Sequence, residues 1–250
     1  MIEILDLKKV FENKKKGTVS YKEALKGISF MCKPGEIFGL LGPNGAGKTT
    51  TLRCISTLIK PTSGTIMVNG FDSLKDDRKV RSVIGFLTSD MKLDGFFTPD
   101  YMMDYFGRLN KMALDAVAER KEILIKELHM EEFRHKKIDK LSSGMKQKTS
   151  IAISLVHNPD VIIFDEPTNG LDVVTAKNVT DFLKKYAKEG KTVLISTHIM
   201  GVAEQICDKI GILIEGLIKE LGTLDEIVKR NNTDNLEDVF FKYLEVQDVE

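Results

Sequence analysis

The segment Gly42-Pro43-Asn44-Gly45-Ala46-Gly47-Lys48-Thr49 constrains this chain more than any other stretch. It fits the spacing G-x-x-x-x-G-K-[ST], which works only with a buried strand running in and a helix running out. Both appear in the pattern. Glu36–Leu41 (EIFGLL) is a short apolar run that reads as a buried strand, and Thr49–Leu58 is compatible with a helix. Glycines let the backbone curl so that successive N–H groups face an anion, and the following helix adds its positive end. In such a loop Lys48 places a compact charge on outer phosphates and Thr49 offers a hydroxyl oxygen to Mg²⁺. A plain glycine-rich strand-to-helix turn has the same local spacing, and only the flanking pattern argues against it.

A second feature sits where such a loop needs a partner. Val161-Ile162-Ile163-Phe164 carries Asp165 and Glu166 to the end of an apolar strand, Asp160–Asp165. Adjacent carboxylates at a buried strand end cost desolvation free energy unless they meet a cation or a polarised water. Ligands of parallel sheets gather at the carboxyl ends of strands. The expectation is Asp165 in the Mg²⁺ shell and Glu166 facing an attacking water as general base or water-orienting group. The bland alternative is a salt-bridged strand end.

Further strands are expected at Ile2–Leu5, Gly64–Asn69, Arg81–Leu87, Lys191–Ser196 and Ile210–Ile214, with a helix at Val174–Lys188. Asn69-Gly70 is a hairpin-type turn signal. Asn13–Gly17 (NKKKG) reads as a charged, exposed turn. Thr98-Pro99 opens a helix in the favoured order of capping hydroxyl and then Pro, and the pattern from Asp100 to about Lys140 stays helical and charged. The sum is a parallel α/β core with a helical insertion.

Composition excludes several rivals. Lys+Arg and Asp+Glu are both 37 among 250 residues, so nothing in the charge calls for nucleic acid. A hydrophobic fraction of 42% supplies a sizeable core, yet no apolar run nears the ~20 residues a membrane helix needs. The first residues lack a signal-peptide apolar region. Cys32, Cys54 and Cys207 are widely spaced and are read as reduced thiols of a cytosolic protein.

The motifs also come in a telling order. The phosphate loop is followed by the helical stretch, LSSGMKQK at 141–148, FDEP, Asn169-Gly170-Leu171-Asp172 and Ser196-Thr197-His198. Over essentially its whole length the chain resembles the nucleotide-binding subunit of ATP-binding cassette (ABC) transporters. The resemblance implies a P-loop NTPase fold: a RecA-like parallel core with an N-terminal antiparallel β portion and an inserted α-helical subdomain. It implies residues 1–88 and 159–220 as the two parts of the core, 89–158 as the helical subdomain and 221–250 as a helical tail. ATP and Mg²⁺ are the implied cofactors, held by Asn44, Gly45, Ala46, Gly47, Lys48, Thr49 and Thr50, with Glu166 and His198 as catalytic partners.

LSSGM resembles the family's signature motif, which meets the γ-phosphate of ATP held by a second copy of the domain. Ser142 and Gly144 carry that role here, and Met145–Val156 is expected as the helix behind them; Ser143 and Met145 depart from the usual Gly and Gln. A plain capped helix fits the same stretch. Asp172 matches the loop that crosses between domains, although it would also serve as a helix cap. Phe11 stands where the family stacks an aromatic ring on adenine, with Tyr21 as the alternative. Ser89, followed by Asp90, stands where a glutamine for metal and water is usual.

Phe96, Phe97, Tyr101, Met102, Met103, Tyr105, Phe106 and Leu109 crowd the start of the insertion. A helix from Pro99 is expected to bury the stripe Met102, Tyr105, Phe106 and Leu109. The surplus is either more core or the groove that, in the family, docks a helix of the membrane subunit. Leu236, Val239, Phe240, Tyr243 and Leu244 form a stripe for a C-terminal helix packed on its own domain. The stretch from Ser196 to Ile227 resembles exporter ATPases of the sodium-extrusion and drug-export subgroup. The implied function is the ATP-hydrolysing subunit of a bacterial exporter, working as a dimer on a separate membrane permease. Its implied location is the cytoplasmic face of the membrane, held there by the permease. The alternative is a soluble ABC-type ATPase acting on a protein or nucleic acid assembly.

Overall fold

A computed structural model describes residues 1–15, 18–88 and 91–245. Two sheets stack on one another. The antiparallel sheet has the order β2-β1-β4-β5, built from β1 (Ile2–Lys15), β2 (Thr18–Cys32), β4 (Ser63–Val68) and β5 (Phe71–Asp72). The second sheet has the order β10-β9-β3-β8-β7-β6, from β3 (Ile37–Leu41), β6 (Ile84–Leu87), β7 (Val161–Asp165), β8 (Thr192–Thr197), β9 (Lys209–Ile214) and β10 (Leu217–Gly222). Its strands are parallel except for the β9–β10 hairpin at one edge. Every residue of β3, β7 and β8 is buried, which is why these strands read as apolar runs without alternation.

Both faces of the parallel sheet are used. Phe38, Leu40, Val161, Ile163 and Leu194 join an apolar cluster with Ile2, Leu7, Leu25 and Phe30 of the antiparallel sheet. Phe30 and Phe38 stack with ring centroids 4.7 Å apart. Alternate residues, Ile37, Ile162, Phe164, Val193 and Ile195, join a cluster on the opposite face. There they meet α3 (Pro99–Leu109), α4 (Leu114–Glu127), α5 (Ser143–Leu155) and α6 (Val173–Lys188). The remaining helices are α1 (Lys48–Ile55), α2 (Asp77–Val83), α7 (Met200–Ile206), α8 (Leu224–Asn231) and α9 (Leu236–Glu245). No helix among the described residues is long and apolar enough to cross a membrane.

Several local expectations hold. Asn69 and Gly70 both have positive φ, 49° and 80°, as a two-residue hairpin turn between β4 and β5 requires. The Thr98 hydroxyl accepts from the Tyr101 N–H at 3.2 Å and caps α3. Leu236, Val239 and Phe240 of α9 are buried against Ala203, Ile210, Ile212 and Ile227, with Tyr243 and Leu244 partly buried beside them.

Three expectations need correction. Asn13–Lys15 are not turn but strand: β1 and β2 pair as far as Lys15–Thr18. A charged two-stranded ribbon has no buried face and so gives no apolar alternation to read. Arg81–Val83 close α2, and β6 starts only at Ile84. On α3 the buried residues are Met102, Met103 and Gly107, while Tyr105 and Leu109 are exposed. The cause is Gly107. A Cβ there would meet Val117 Cγ2 at 2.6 Å, so α4 crosses tightly at the glycine and turns the buried stripe toward it.

The α3–α4 pair is also held by charge. Asp100 accepts from Lys121 at 2.8 Å and from two Arg134 nitrogens at 3.0 and 2.6 Å. Burial alone would raise the Asp100 pKa, but hydrogen bonds from Lys121 and Arg134 outweigh it and leave the pKa below its ordinary 3.8. A carboxyl held below its unfolded value stabilises the fold at higher pH and loses that contribution as pH falls through the folded value. Asp100→Asn should therefore cost about 1–2 kcal/mol at pH 7. The difference from wild type should shrink below about pH 4, as read from urea midpoints at pH 7 and pH 3.

Candidate functional site

Strand register builds the site. β3 pairs with β8 so that Leu41 faces Thr197, and β7 pairs with β8 so that Asp165 faces Ser196. The chain therefore leaves three neighbouring strands at one end of the sheet, at Gly42, Glu166 and His198. A long cavity of about 530 Å³ opens there. Its lining includes Phe11, Asn44, Gly45, Gly47, Lys48, Thr49, Thr50, Glu166 and His198.

Backbone constraints shape the loop. Gly45 and Gly47 have φ of 86° and 114°. At Gly47 a Cβ would lie 2.7 Å from the Ala24 carbonyl oxygen and 2.8 Å from Leu25 Cδ2, so only glycine lets the loop lie against β2. Ala46 is buried behind the loop, and its carbonyl accepts from the Gly216 N–H at 2.9 Å. α1 begins at Lys48 and presents its free N–H groups to the cavity.

Side-chain geometry then joins the strand ends. The buried Lys48 ammonium donates to the Gly42 carbonyl at 2.6 Å and lies 3.3 Å from Glu166 Oε1. Glu166 Oε2 lies 2.9 Å from His198 Nδ1. Glu166 itself adopts left-handed backbone, φ 53°, and its N–H donates to the Ser196 carbonyl at 3.1 Å. A non-glycine residue held so costs on the order of 1–3 kcal/mol, and here it swings the carboxylate off the strand direction into the cavity. Asp165 is fully buried. It accepts from the Thr49 hydroxyl at 2.8 Å and from the Ser196 hydroxyl. One hydroxyl and one carboxylate are hard oxygen donors of the kind Mg²⁺ takes when phosphates supply further ligands, so the pair fits that ion.

Ser142 and Gly144 do not line this cavity. Ser142 caps α5, its hydroxyl accepting from the Met145 N–H at 3.3 Å. At Gly144 a Cβ would meet Thr175 Oγ1 at 3.1 Å, so the N-termini of α5 and α6 approach closely. Asp172 caps α6 through the N–H groups of Val174 and Thr175, at 3.0 and 2.9 Å. Gln147 ties α5 to the end of β7 by donating to the Pro167 carbonyl at 2.9 Å. Ser89 and Asp90 lie outside the described residues. Of the two candidate aromatics, Phe11 lines the cavity, whereas Tyr21 is 71% exposed and does not. Sequence reasoning passed over Lys22, Ala24, Pro43 and Asn169, which also line it. Asn169 stood inside a quoted motif with no role given. Lys22 had no motif around it, and only the pairing of β1 with β2 sets it across from Phe11.

This geometry has close counterparts. The family model for ABC transporters matches residues 25–169. The chain is 35% identical over 245 residues to the ABC transporter ATP-binding protein NatA of Bacillus subtilis, covering 98% of each. The structure of an ATP-binding subunit of an ABC transporter superposes with a TM-score of 0.84 at 27% identity, over 96% of this chain and 98% of that one. A dimeric ATP-binding cassette in a post-hydrolysis state, bound to ADP and phosphate, superposes at 0.77 with 28% identity over 90% and 99%. The fold is that of an ATP-binding cassette. The chain belongs to the ABC transporter family and is an ATP-binding, ATP-hydrolysing subunit of a transporter.

The loop's dependence on glycine is measurable. Gly47→Ala should cost about 2 kcal/mol or more, from a left-handed φ and a clash with backbone. Thermal unfolding should show it, and calorimetry should show ATP binding lost. Gly190, which also has positive φ but open space around its Cβ position, should lose less on the same change and keep ATP binding.

Proposed function

We propose that the chain hydrolyses MgATP as a head-to-tail dimer and drives export through a separate membrane permease. The observation that carries this reading is a division within the fold. One surface holds the phosphate loop with Glu166 and His198, while Ser142 and Gly144 stand at a helix start outside the cavity. A hydroxyl and a close-approach glycine at a positive helix end suit an anion that this chain's own loop cannot bring to them. A second copy, turned about a two-fold axis, supplies it.

Within each site the roles follow from position. Phe11 stacks on adenine, and the N–H groups from Asn44 to Thr50 hold the phosphates. Lys48 leaves Glu166 for the outer phosphates, its compact charge pairing with them. Thr49 and Asp165 hold Mg²⁺, which when bound neutralises charge on the phosphate oxygens. Released from Lys48, Glu166 takes the proton of the attacking water. His198, bonded to Glu166 through Nδ1, orients that carboxylate and reaches the γ-phosphate. Asp172 holds the start of α6 at the dimer interface.

The partner surface lies on the helical stretch 89–158. Tyr105 and Leu109 are exposed beside an apolar groove of about 260 Å³ lined by Leu58, Phe86, Met91 and Phe106. Phe97 and Tyr101 instead stack on each other with centroids 4.6 Å apart, and the Lys137 ammonium lies 4.3 Å from the centroid of the exposed Phe96 ring. In this reading a helix of the permease docks on the Tyr105–Leu109 edge, with the subunit at the cytoplasmic membrane face.

Lys48→Ala should reduce ATP turnover at least a hundredfold and weaken nucleotide binding; turnover near wild type would defeat the assignment. Glu166→Gln should accumulate an ATP-bound dimer on size exclusion that ADP does not support. Adding Ser142→Arg should dissolve that dimer while each monomer still binds ATP. Tyr105→Glu with Leu109→Glu should abolish co-purification with the permease and leave basal ATPase intact. Variants that keep the permease would remove this surface from the reading.

A further inference from the structure

The cavity carries a cation with no assigned task. Lys22 lines it from β2, directly across the strand pair from Phe11. Directly opposed residues of an antiparallel pair project to the same face, so ring and ammonium flank one end of the cavity together. A neighbouring cation is already committed. Lys9 donates to the Lys60 carbonyl at 2.8 Å and sits over the Phe11 ring at 4.9 Å. Lys22 has neither an ion pair nor a hydrogen bond among the described residues, and it is exposed to the cavity mouth.

Position along β2 says what it meets. Ala24 lies against Gly47 of the phosphate loop, its carbonyl oxygen 2.7 Å from the place of a Gly47 Cβ. Lys22 lies two residues further along β2, past a register shift at Ala24, and both residues line the cavity. Its side chain thus begins level with the Phe11 ring and is long enough to reach into the interval between the ring and the loop. With the phosphates on the loop and the base on Phe11, that interval is filled by the ribose and the α-phosphate. An ammonium with three donors and no acceptor selects the anionic group of the two.

We infer that Lys22 is a nucleotide-binding residue that pairs with the α-phosphate, so that the site recognises nucleoside 5′-phosphates from both sides of the ribose. The inference rests on the reading that Phe11 carries the base. A contact at the α-phosphate is common to AMP, ADP and ATP and missing in adenosine. Lys22→Gln should therefore weaken ADP and ATP by similar factors of roughly three- to tenfold, the range of one exposed charge-assisted hydrogen bond.

Isothermal calorimetry on the full chain with ATP, ADP and adenosine tests this at two salt concentrations. The expected result is loss for both nucleotides, none for adenosine, and a smaller loss at high salt, where exposed charges are screened. Lys22→Arg should restore binding, since it keeps the charge, and a purely structural role would not show that salt dependence. Equal nucleotide affinity in wild type and Lys22→Gln would overturn the inference, as would a loss shared by adenosine. Phe11→Ala is the control: unchanged adenosine and ATP binding in that variant would instead defeat the base-stacking reading beneath it.

Discussion

Everything in this molecule depends on three strands ending level. Hydrogen bonding between β3, β8 and β7 fixes which residues come next, and those residues are Gly42, His198 and Glu166. A shift of one residue in either pairing would turn the strand-end side chains to the other face. The level ends also explain why burial and chemistry coincide. Parallel strands are buried on both faces, so Asp165 is fully buried and must find partners, and Thr49 and Ser196 provide them. Glu166 escapes the same burial only through left-handed backbone, which turns its carboxylate to Lys48 and His198.

The two sheets divide the cavity between them. The parallel sheet supplies the end where Lys48, Glu166 and His198 stand and the N–H groups of the glycine-rich loop converge. The antiparallel sheet supplies Phe11, Lys22 and Ala24, and it is pressed against the loop at Gly47. That glycine is the hinge of the architecture: any side chain there would push β2 off the loop and open the cavity. The helices across the sheet do something different. They hold Ser142 and Gly144 near the end of β7 by Gln147 and Thr175, so the start of α5 is fixed relative to Glu166 without entering its cavity.

Much of this was legible in the sequence where burial and pattern agree. EIFGLL and DVIIFD announce buried parallel strands, and the glycine spacing between Gly42 and Lys48 leaves few other conformations for the loop. The family and the ATPase activity expected from the motif order are both shown by the comparisons. Legibility failed where tertiary contacts set the answer. Toward the far end of the β1–β2 ribbon, residues 11–13 and 19–23 are exposed, so no buried face marks the pairing and Asn13–Lys15 read as a turn. Gly107 looks like a weak point in a helix until α4 is seen to cross there, and that crossing is what leaves Tyr105 and Leu109 exposed. Nothing local marks Glu166 for a positive φ either; the pull comes from its bond to Ser196.

In the proposed mechanism one active site is assembled from two chains. The most direct measurement mixes two inactive proteins, Lys48→Ala and Ser142→Arg, and assays ATP hydrolysis. A mixed dimer pairs the intact phosphate loop of one copy with the intact signature stretch of the other, so one of its two sites is whole. Neither protein alone should turn over ATP, and an equal mixture should recover activity up to roughly half of wild type, the share of whole sites where every dimer is mixed. A mixture as inactive as its parts, with both proteins folded and mixed dimers formed, would contradict it. So would full activity of Ser142→Arg alone, which would place the whole site within one chain.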